Sequence, residues 1–288
     1  MSKIWVTNES SSFARSFASW CREKEGHIFI NNLGNEEYDY FRQTSLFRSR
    51  EIDIFDPTLP NLISRSGAEL IIHQLPIIPE KGELHPDYAL RNNIEGTHYV
   101  IQAAKEINIP IIFVSSRNVI TNNNIYDVTA STVENILDFS GVSHISITPP
   151  IVYGPEFDEG ISGLIKTSIS NKDQVVLNLD PEKKHAFMHI RDFLNGIDKI
   201  ITNLDLDSTI HKNFEIMPKK LNTLEEIIEH LENESLTLSY DIYPDKDYCI
   251  SEFNSDIDIK SIYEWKPKYT LKSGLDDVIK SIRIEHGR

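Results

Sequence analysis

At 288 residues, with 40% hydrophobic and 25% charged residues and a formal net charge of −15, the chain has the composition of an ordinary soluble globular protein with room for a sizeable core. That acidity argues against non-specific nucleic-acid binding and against anchoring to anionic lipid, both of which need a basic face. No stretch approaches the about 18 apolar residues of a membrane span. The start MSKIWVTNESS has no apolar run leading to a small-residue cleavage site, and Cys21 and Cys249 form no CxxC pair, so a reducing cytoplasm is the expected location.

Taken in order, short β-branched or apolar runs at 3–7, 27–31, 70–75, 109–115 and 144–148 predict strands. Helical spacing over 13–24, 92–107 and 129–139 predicts helices between several of them. Such alternation implies parallel strands joined by right-handed crossovers. The expected fold class is α/β, a Rossmann-like doubly wound parallel sheet with ligands at the carboxyl ends of its strands. The second half is less regular, with helices predicted over 160–170 and 221–233 and strands over 174–179, 185–189 and 213–217. Asn222 or Thr223 is the expected cap of the helix over 221–233, ahead of acidic first-turn residues.

Several segments then carry a family resemblance in consistent chain order. Strand 3–7 leads into Asn8-Glu-Ser-Ser-Ser-Phe-Ala14 and a helix, where a TGxxGxxG loop would stand. Glu69-Leu-Ile-Ile-His-Gln-Leu-Pro76 is similar to DxVIHLAA, Asn93-Ile-Glu-Gly-Thr97 to NVxGT, and Ile112-Phe-Val-Ser-Ser116 to a strand ending in a catalytic Ser or Thr. Pro149-Pro-Ile-Val-Tyr-Gly-Pro155 is similar to RPxxVYGP, Phe187-Met-His-Ile-Arg-Asp192 to FIHVxD, and Glu264-Trp-Lys-Pro-Lys268 to a closing GWxP motif. Together they resemble the extended short-chain dehydrogenase/reductases, in the NAD-dependent epimerase/dehydratase branch that acts on sugar nucleotides.

The resemblance implies a nucleotide-binding region over 1–155 and a smaller α/β substrate-binding subdomain over 156–288, some of whose segments return to the main sheet. It implies NAD or NADP as cofactor, contacted from Asn8, Ser11, Phe13, Ala14 and Asp56. It places catalytic roles at Ser116 and Tyr126, and substrate contacts at Asn93, Tyr153 and His189. The ligand class is a nucleotide sugar or a related small molecule, and the expected assembly is a homodimer through the helices over 93–107 and 126–139.

The residues that should carry the chemistry depart from this pattern. In the intact loop the first glycine makes a turn, the second lets the backbone approach the pyrophosphate, and the third lets helix and strand pack. Asn8 tolerates left-handed geometry and Ala14 is an accepted third residue, but Ser11 puts a β-carbon where the diphosphate would come. Its hydroxyl has two uses open to it, donation to a phosphate or capping of the helix. Glu9 adds an unfavourable carboxylate. After the second strand Ile30-Asn31-Asn32 lacks the acidic ribose contact, while Arg15 or Arg42 would suit a 2′-phosphate and Asp56 keeps the DLxD position near the adenine.

The catalytic pair is half missing. A lysine one helical turn beyond the tyrosine lowers the phenol pKa and holds the nicotinamide ribose. Here Tyr126 is followed at that spacing by Ala130, with Glu134 supporting the register. Between 116 and 126 the chain is much shorter than is usual in the family. His185 and His189 share a strand face but are too few for a metal site, and no GxSxG elbow supports a hydrolase triad.

Two functional classes follow: an active NAD(P)-dependent epimerase, dehydratase or reductase with an adapted site, and a non-catalytic dimeric binding or scaffolding protein. The losses fall along one reaction path, so standard oxidoreductase activity is expected to be weak or absent, and cofactor binding weak or lost. Turnover restored by Ala130→Lys would mark the missing lysine as the main defect.

Overall fold

The computed structural model describes residues 2–7, 11–24, 27–30, 54–75, 85–115, 125–170, 175–177, 179–203, 211–242, 257–259, 263–285 and 287. The chain divides into two compact units, one containing Met1–Arg117, Thr121–Thr148 and Leu204–Phe214, the other containing Pro149–Asn203 and Glu215–Arg288.

In the first unit β1 (Ser2–Val6), β2 (His27–Ile30), β3 (Leu70–Gln74), β4 (Ile111–Val114) and β5 (His144–Thr148) form a parallel sheet in the order β5-β4-β3-β1-β2. The returning strand β10 (His211–Glu215) lies beside β5. The expected doubly wound α/β sheet is therefore present. Its inner strands read as unbroken apolar runs because both faces are covered: Leu70, Ile71 and Ile72 of β3 and Ile111, Ile112 and Phe113 of β4 are almost wholly buried.

The intervening helices are α1 (Ser12–Glu23), α2 (Leu59–Ser66), α3 and α4 (Ile125–Ser140). Helix α3 is interrupted. It runs as Pro86–Ala89, a π-helical turn Leu90–Glu95, and Gly96–Ile107. Asn108 ends it in the left-handed region at φ 54°, a conformation asparagine tolerates better than most residues. Helix α4 starts earlier than its apolar spacing suggests. It buries Tyr126, Ala130, Val133 and Leu137 along one stripe, into a core shared with Trp5, Ile71 and Phe113.

The second unit holds α5 (Gly160–Ser170), α6 (Ile190–Thr202), α7 (Leu224–Asn233) and α8 (Leu271–Glu285), with short strand pairs. The run predicted as one strand over 185–189 splits into β8 (Lys184–His185) and β9 (Phe187–His189), because the two halves serve different partners. β8 pairs antiparallel with β11 (Asn222–Thr223), and β9 pairs parallel with β6 (Ile151–Tyr153). Between the two expected caps of α7 the structure selects Thr223. Its hydroxyl accepts from the Glu226 amide at 3.2 Å while Glu226 Oε2 accepts from the Thr223 amide at 3.1 Å, a reciprocal capping box. Beside them β12 (Tyr240–Ile242) pairs with β7 (Val175–Leu177). The unit's core is built from Leu164, Phe187, Ile227 and Val278 with their neighbours.

Among the described residues no helix is long and apolar enough to cross a membrane, and no group of His, Cys, Asp and Glu side chains is arranged to hold a metal ion.

Candidate functional site

The predicted site residues of the first unit lie along the carboxyl ends of β1 and β3 and on the helices that follow. Ser11 is the N-cap of α1: its Oγ accepts from the Ala14 amide at 3.1 Å, and its hydroxyl donates to Gln74 Oε1 at 2.9 Å. The oxygen of this hydroxyl serves as the cap, and its proton goes to Gln74. Phe13 is buried, and its ring stacks on Phe17 at 6.0 Å; Ala14 is buried beside it. Arg15 donates to Ser12 Oγ at 3.1 Å. Asp56 uses one carboxylate oxygen to accept from both the amide and the hydroxyl of Thr58 at 2.7 Å, turning the chain into α2. Asn8, Glu9, Asn31, Asn32, Arg42 and Ser116, and with them the short segment before Tyr126, lie outside the described residues.

At the carboxyl ends of β1 and β3 runs a buried polar chain that the motifs alone did not display. The Gln74 amide donates to Thr7 Oγ1 at 3.1 Å. His73, with no exposed surface, touches Thr7 Oγ1 through Nδ1 and Thr97 Oγ1 through Nε2, each at 2.7 Å. Thr97 gives its own proton to the Asn93 carbonyl in the π-helical turn, so it can only accept from the histidine. The ring proton is thus on Nε2, and Nδ1 accepts from Thr7. Burial lowers the His73 pKa from 6.5 to about 3, which keeps the ring neutral. Asn93, also fully buried, donates through Nδ2 to Thr129 Oγ1 at 3.0 Å, and Thr129 donates to the Tyr126 carbonyl at 2.9 Å. The chain thus extends to helix α4, on which Tyr126 is 4% exposed and Ala130 is 0% exposed within the apolar core. No ammonium stands at that position.

Gln74 joins the site although the motifs assign it no role. A signal was present: in the segment resembling DxVIHLAA, a polar glutamine replaces the leucine that follows the histidine.

The second unit brings the other two predicted substrate residues together. Tyr153 and His189 meet edge to face at 5.6 Å, and His189 stacks on Tyr269 at 4.1 Å. His189 Nδ1 accepts from the Arg191 amide at 3.3 Å, which directs Nε2 toward Asp277 Oδ2 at 3.2 Å, close but poorly aligned for a hydrogen bond. This contact lowers the Asp277 pKa. Asp192 accepts from the Lys268 and Tyr269 amides at 2.9 and 2.8 Å, tying that segment to α6. Burial, followed by the Asp192 and Asp277 charges, raises the Tyr153 pKa, so this phenol stays protonated. Gly274 makes room for it, since a β-carbon there would collide with the Tyr153 hydroxyl. His185 is likewise buried and bonded to the Asp180 carbonyl at 2.7 Å.

Residues 36–144 match the model of the 3-beta hydroxysteroid dehydrogenase/isomerase family. No curated protein matches the chain. Among solved structures, the fold is similar to that of UDP-glucuronic acid 4-epimerase from Bacillus cereus, solved with UDP-glucuronic acid and NAD, at a TM-score of 0.79 and 17% identity over 98% of this chain and 99% of that one. It is similar to L-threonine dehydrogenase from Phytophthora infestans at a TM-score of 0.78 and 16% identity, over 99% of this chain and 100% of that one. It is also similar to UDP-glucose 4-epimerase from Thermotoga maritima, solved with UDP-glucose, at a TM-score of 0.77 and 16% identity over 99% of each chain. At these identities the likeness is one of fold.

Proposed function

We propose that this chain is an epimerase/dehydratase-like short-chain dehydrogenase/reductase that has lost standard NAD(P)-dependent hydride chemistry and acts as a small-molecule binding protein of the nucleotide-sugar class, a reading supported by the family match over residues 36–144 and by the fold. The observation that carries this reading is the burial of Ala130 in the apolar core beside Tyr126. A nicotinamide cofactor, when bound, would supply hydride transfer, and that transfer needs a nearby group able to take or give a proton. With alanine at position 130, no ammonium one turn away favours the phenolate form of Tyr126 that proton transfer would need. At the diphosphate end, the Ser11 hydroxyl is already committed to a cap and to Gln74. These residues are a poor match to NAD or NADP.

The reading is tested by denaturing protein purified without added cofactor, identifying released nucleotides, and titrating the native protein calorimetrically with NAD, NADP, UDP-glucose and UDP-glucuronic acid. The expected result is no stoichiometric nicotinamide nucleotide, weak or undetectable NAD(P) binding, and measurable binding of a UDP-sugar. Stoichiometric nucleotide or micromolar NAD(P) affinity overturns it.

The same reading includes a homodimer through α3 and α4. Their outer faces border a groove of about 440 Å³ lined by His98, Ile101, Ile136 and Phe139, and Phe139 is 91% exposed at its edge. Val128 and Tyr99 add exposed apolar surface on the same helices. Such an apolar knob beside a groove on one surface is self-complementary under two-fold symmetry. Phe139→Asp is expected to shift the sedimentation coefficient from dimer to monomer while leaving the melting temperature of the folded unit nearly unchanged. A wild-type protein that sediments as a monomer at micromolar concentration overturns the dimer.

A further inference from the structure

We propose that Ser11 and Gln74 form an internal latch that shuts the N-terminus of α1 to a dinucleotide's diphosphate, with Gln74 as the deciding residue. The inference rests on the reading above that nicotinamide-nucleotide binding is weak. It goes further by assigning the exclusion at this end of the site to a hydrogen bond between side chains, not to the β-carbon of Ser11.

The amides in the first turn of a helix donate readily to phosphate oxygens, provided they are free. Here the Ala14 amide is taken by Ser11 Oγ at 3.1 Å. The serine proton that a phosphate oxygen would need is given to Gln74 Oε1 at 2.9 Å. An arriving diphosphate would break that bond, and it would also face the glutamine oxygen, an acceptor beside an acceptor.

The backbone of Gln74 is pinned, which fixes the point from which its side chain reaches Ser11. Its amide donates to Thr7 Oγ1 at 3.1 Å, Thr7 is bonded onward to buried His73, and the Thr7 amide donates to the Ile72 carbonyl at 2.9 Å. The register of β1 against β3 therefore holds the glutamine opposite the cap of α1. A leucine at this place, as in the motif that the segment resembles, offers no acceptor and leaves the serine hydroxyl available.

The latch is tested by calorimetric titration of NAD and ADP into wild-type protein, Ser11→Ala, Ser11→Gly, Gln74→Leu and the double variant Ser11→Ala/Gln74→Leu, with circular dichroism confirming that each is folded. Gln74→Leu keeps the cap of α1, so it reports on the latch even where the serine variants weaken the helix. Gln74→Leu is expected to bind both ligands at least about 10-fold more tightly than wild type, because it frees the serine proton and removes the opposing oxygen. Ser11→Ala keeps that oxygen and loses the donor, so it is expected to gain little, and the double variant is expected to gain less than Gln74→Leu. No turnover should appear in any of them, Ala130 being unchanged. A gain confined to Ser11→Gly, or no gain in any variant, overturns the latch while leaving the loss of hydride chemistry standing. Micromolar NAD binding by wild-type protein overturns both.

Discussion

Lysine at position 130 is expected to destabilise the protein by about 5 kcal/mol instead of restoring hydride transfer. Ala130 has no exposed surface and lies in a stripe with Tyr126, Val133 and Leu137 against the sheet. Four added side-chain atoms have no space there, and overpacking of this kind costs about 1–3 kcal/mol. The ammonium adds to that cost. A buried lysine loses its proton, with pKa values of about 5–6 documented for such sites, so at pH 7 the folded state forfeits roughly 4–5 kcal/mol of protonation that the unfolded chain retains. Partial relaxation toward solvent offsets some of this. A net loss near 5 kcal/mol corresponds to a fall in melting temperature on the order of 10–20 °C. Urea denaturation followed by tryptophan fluorescence measures it. An Ala130→Lys protein within about 1 kcal/mol of wild type, with turnover gained on an added UDP-sugar and NAD, would show that the pocket had kept its room for the lysine.

The second large effect is an acid sensitivity carried by His73. Burial holds its folded pKa at about 3, against 6.5 for the unrestrained ring. The unfolded chain therefore takes up a proton as pH falls through about 6.5, and the folded chain does not until about 3. Above 6.5 the histidine contributes no pH dependence. Between 6.5 and 3 it removes about 1.4 kcal/mol of stability per pH unit, or about 2 kcal/mol by pH 5. Asp277, whose pKa is lowered from 3.8 by its contact with His189, enters only at lower pH. Urea midpoints between pH 5 and 7.5 should thus fall more steeply in wild type than in His73→Gln, a variant that does not titrate there. Equal slopes would mean that the ring takes its proton in the folded state, and that the Thr7–His73–Thr97 contacts rearrange to admit it.

The acid sensitivity originates in the polar chain from Gln74 through His73 and Asn93 to Thr129. Thr97 donates to the carbonyl four residues back, a bond Ser and Thr make within helices, and this leaves its oxygen to accept from His73. The chain gives the sheet a directional polar core and ties the end of β1 to the end of β3.

The fold was largely legible in the sequence. The run 144–148 matches β5 residue for residue, and the helix over 160–170 matches α5, because each is bounded by turn residues and has a single periodicity. The run 185–189 was not legible as two strands, since only pairing distinguishes a break at Ala186 from continuity. Absences at the site could also be read directly: a lysine missing at 130 and glycines missing at 8 and 11 are facts of the sequence.

What those absences became was decided by the tertiary structure. The sequence by itself established an α/β sheet, the order of its motifs and the identity of the replaced residues, because strand and helix periodicity and turn chemistry are local. It left open whether the Ser11 hydroxyl faced a ligand or a cap, and whether Ala130 lined a pocket or a core. Those answers depend on residues about 60 positions away, as Gln74 is from Ser11, and on the packing of α4 against the sheet. Hydrogen bonding and burial across such separations are properties of the folded chain, so only the tertiary structure could show that the serine hydroxyl donates to Gln74 and that the alanine is enclosed.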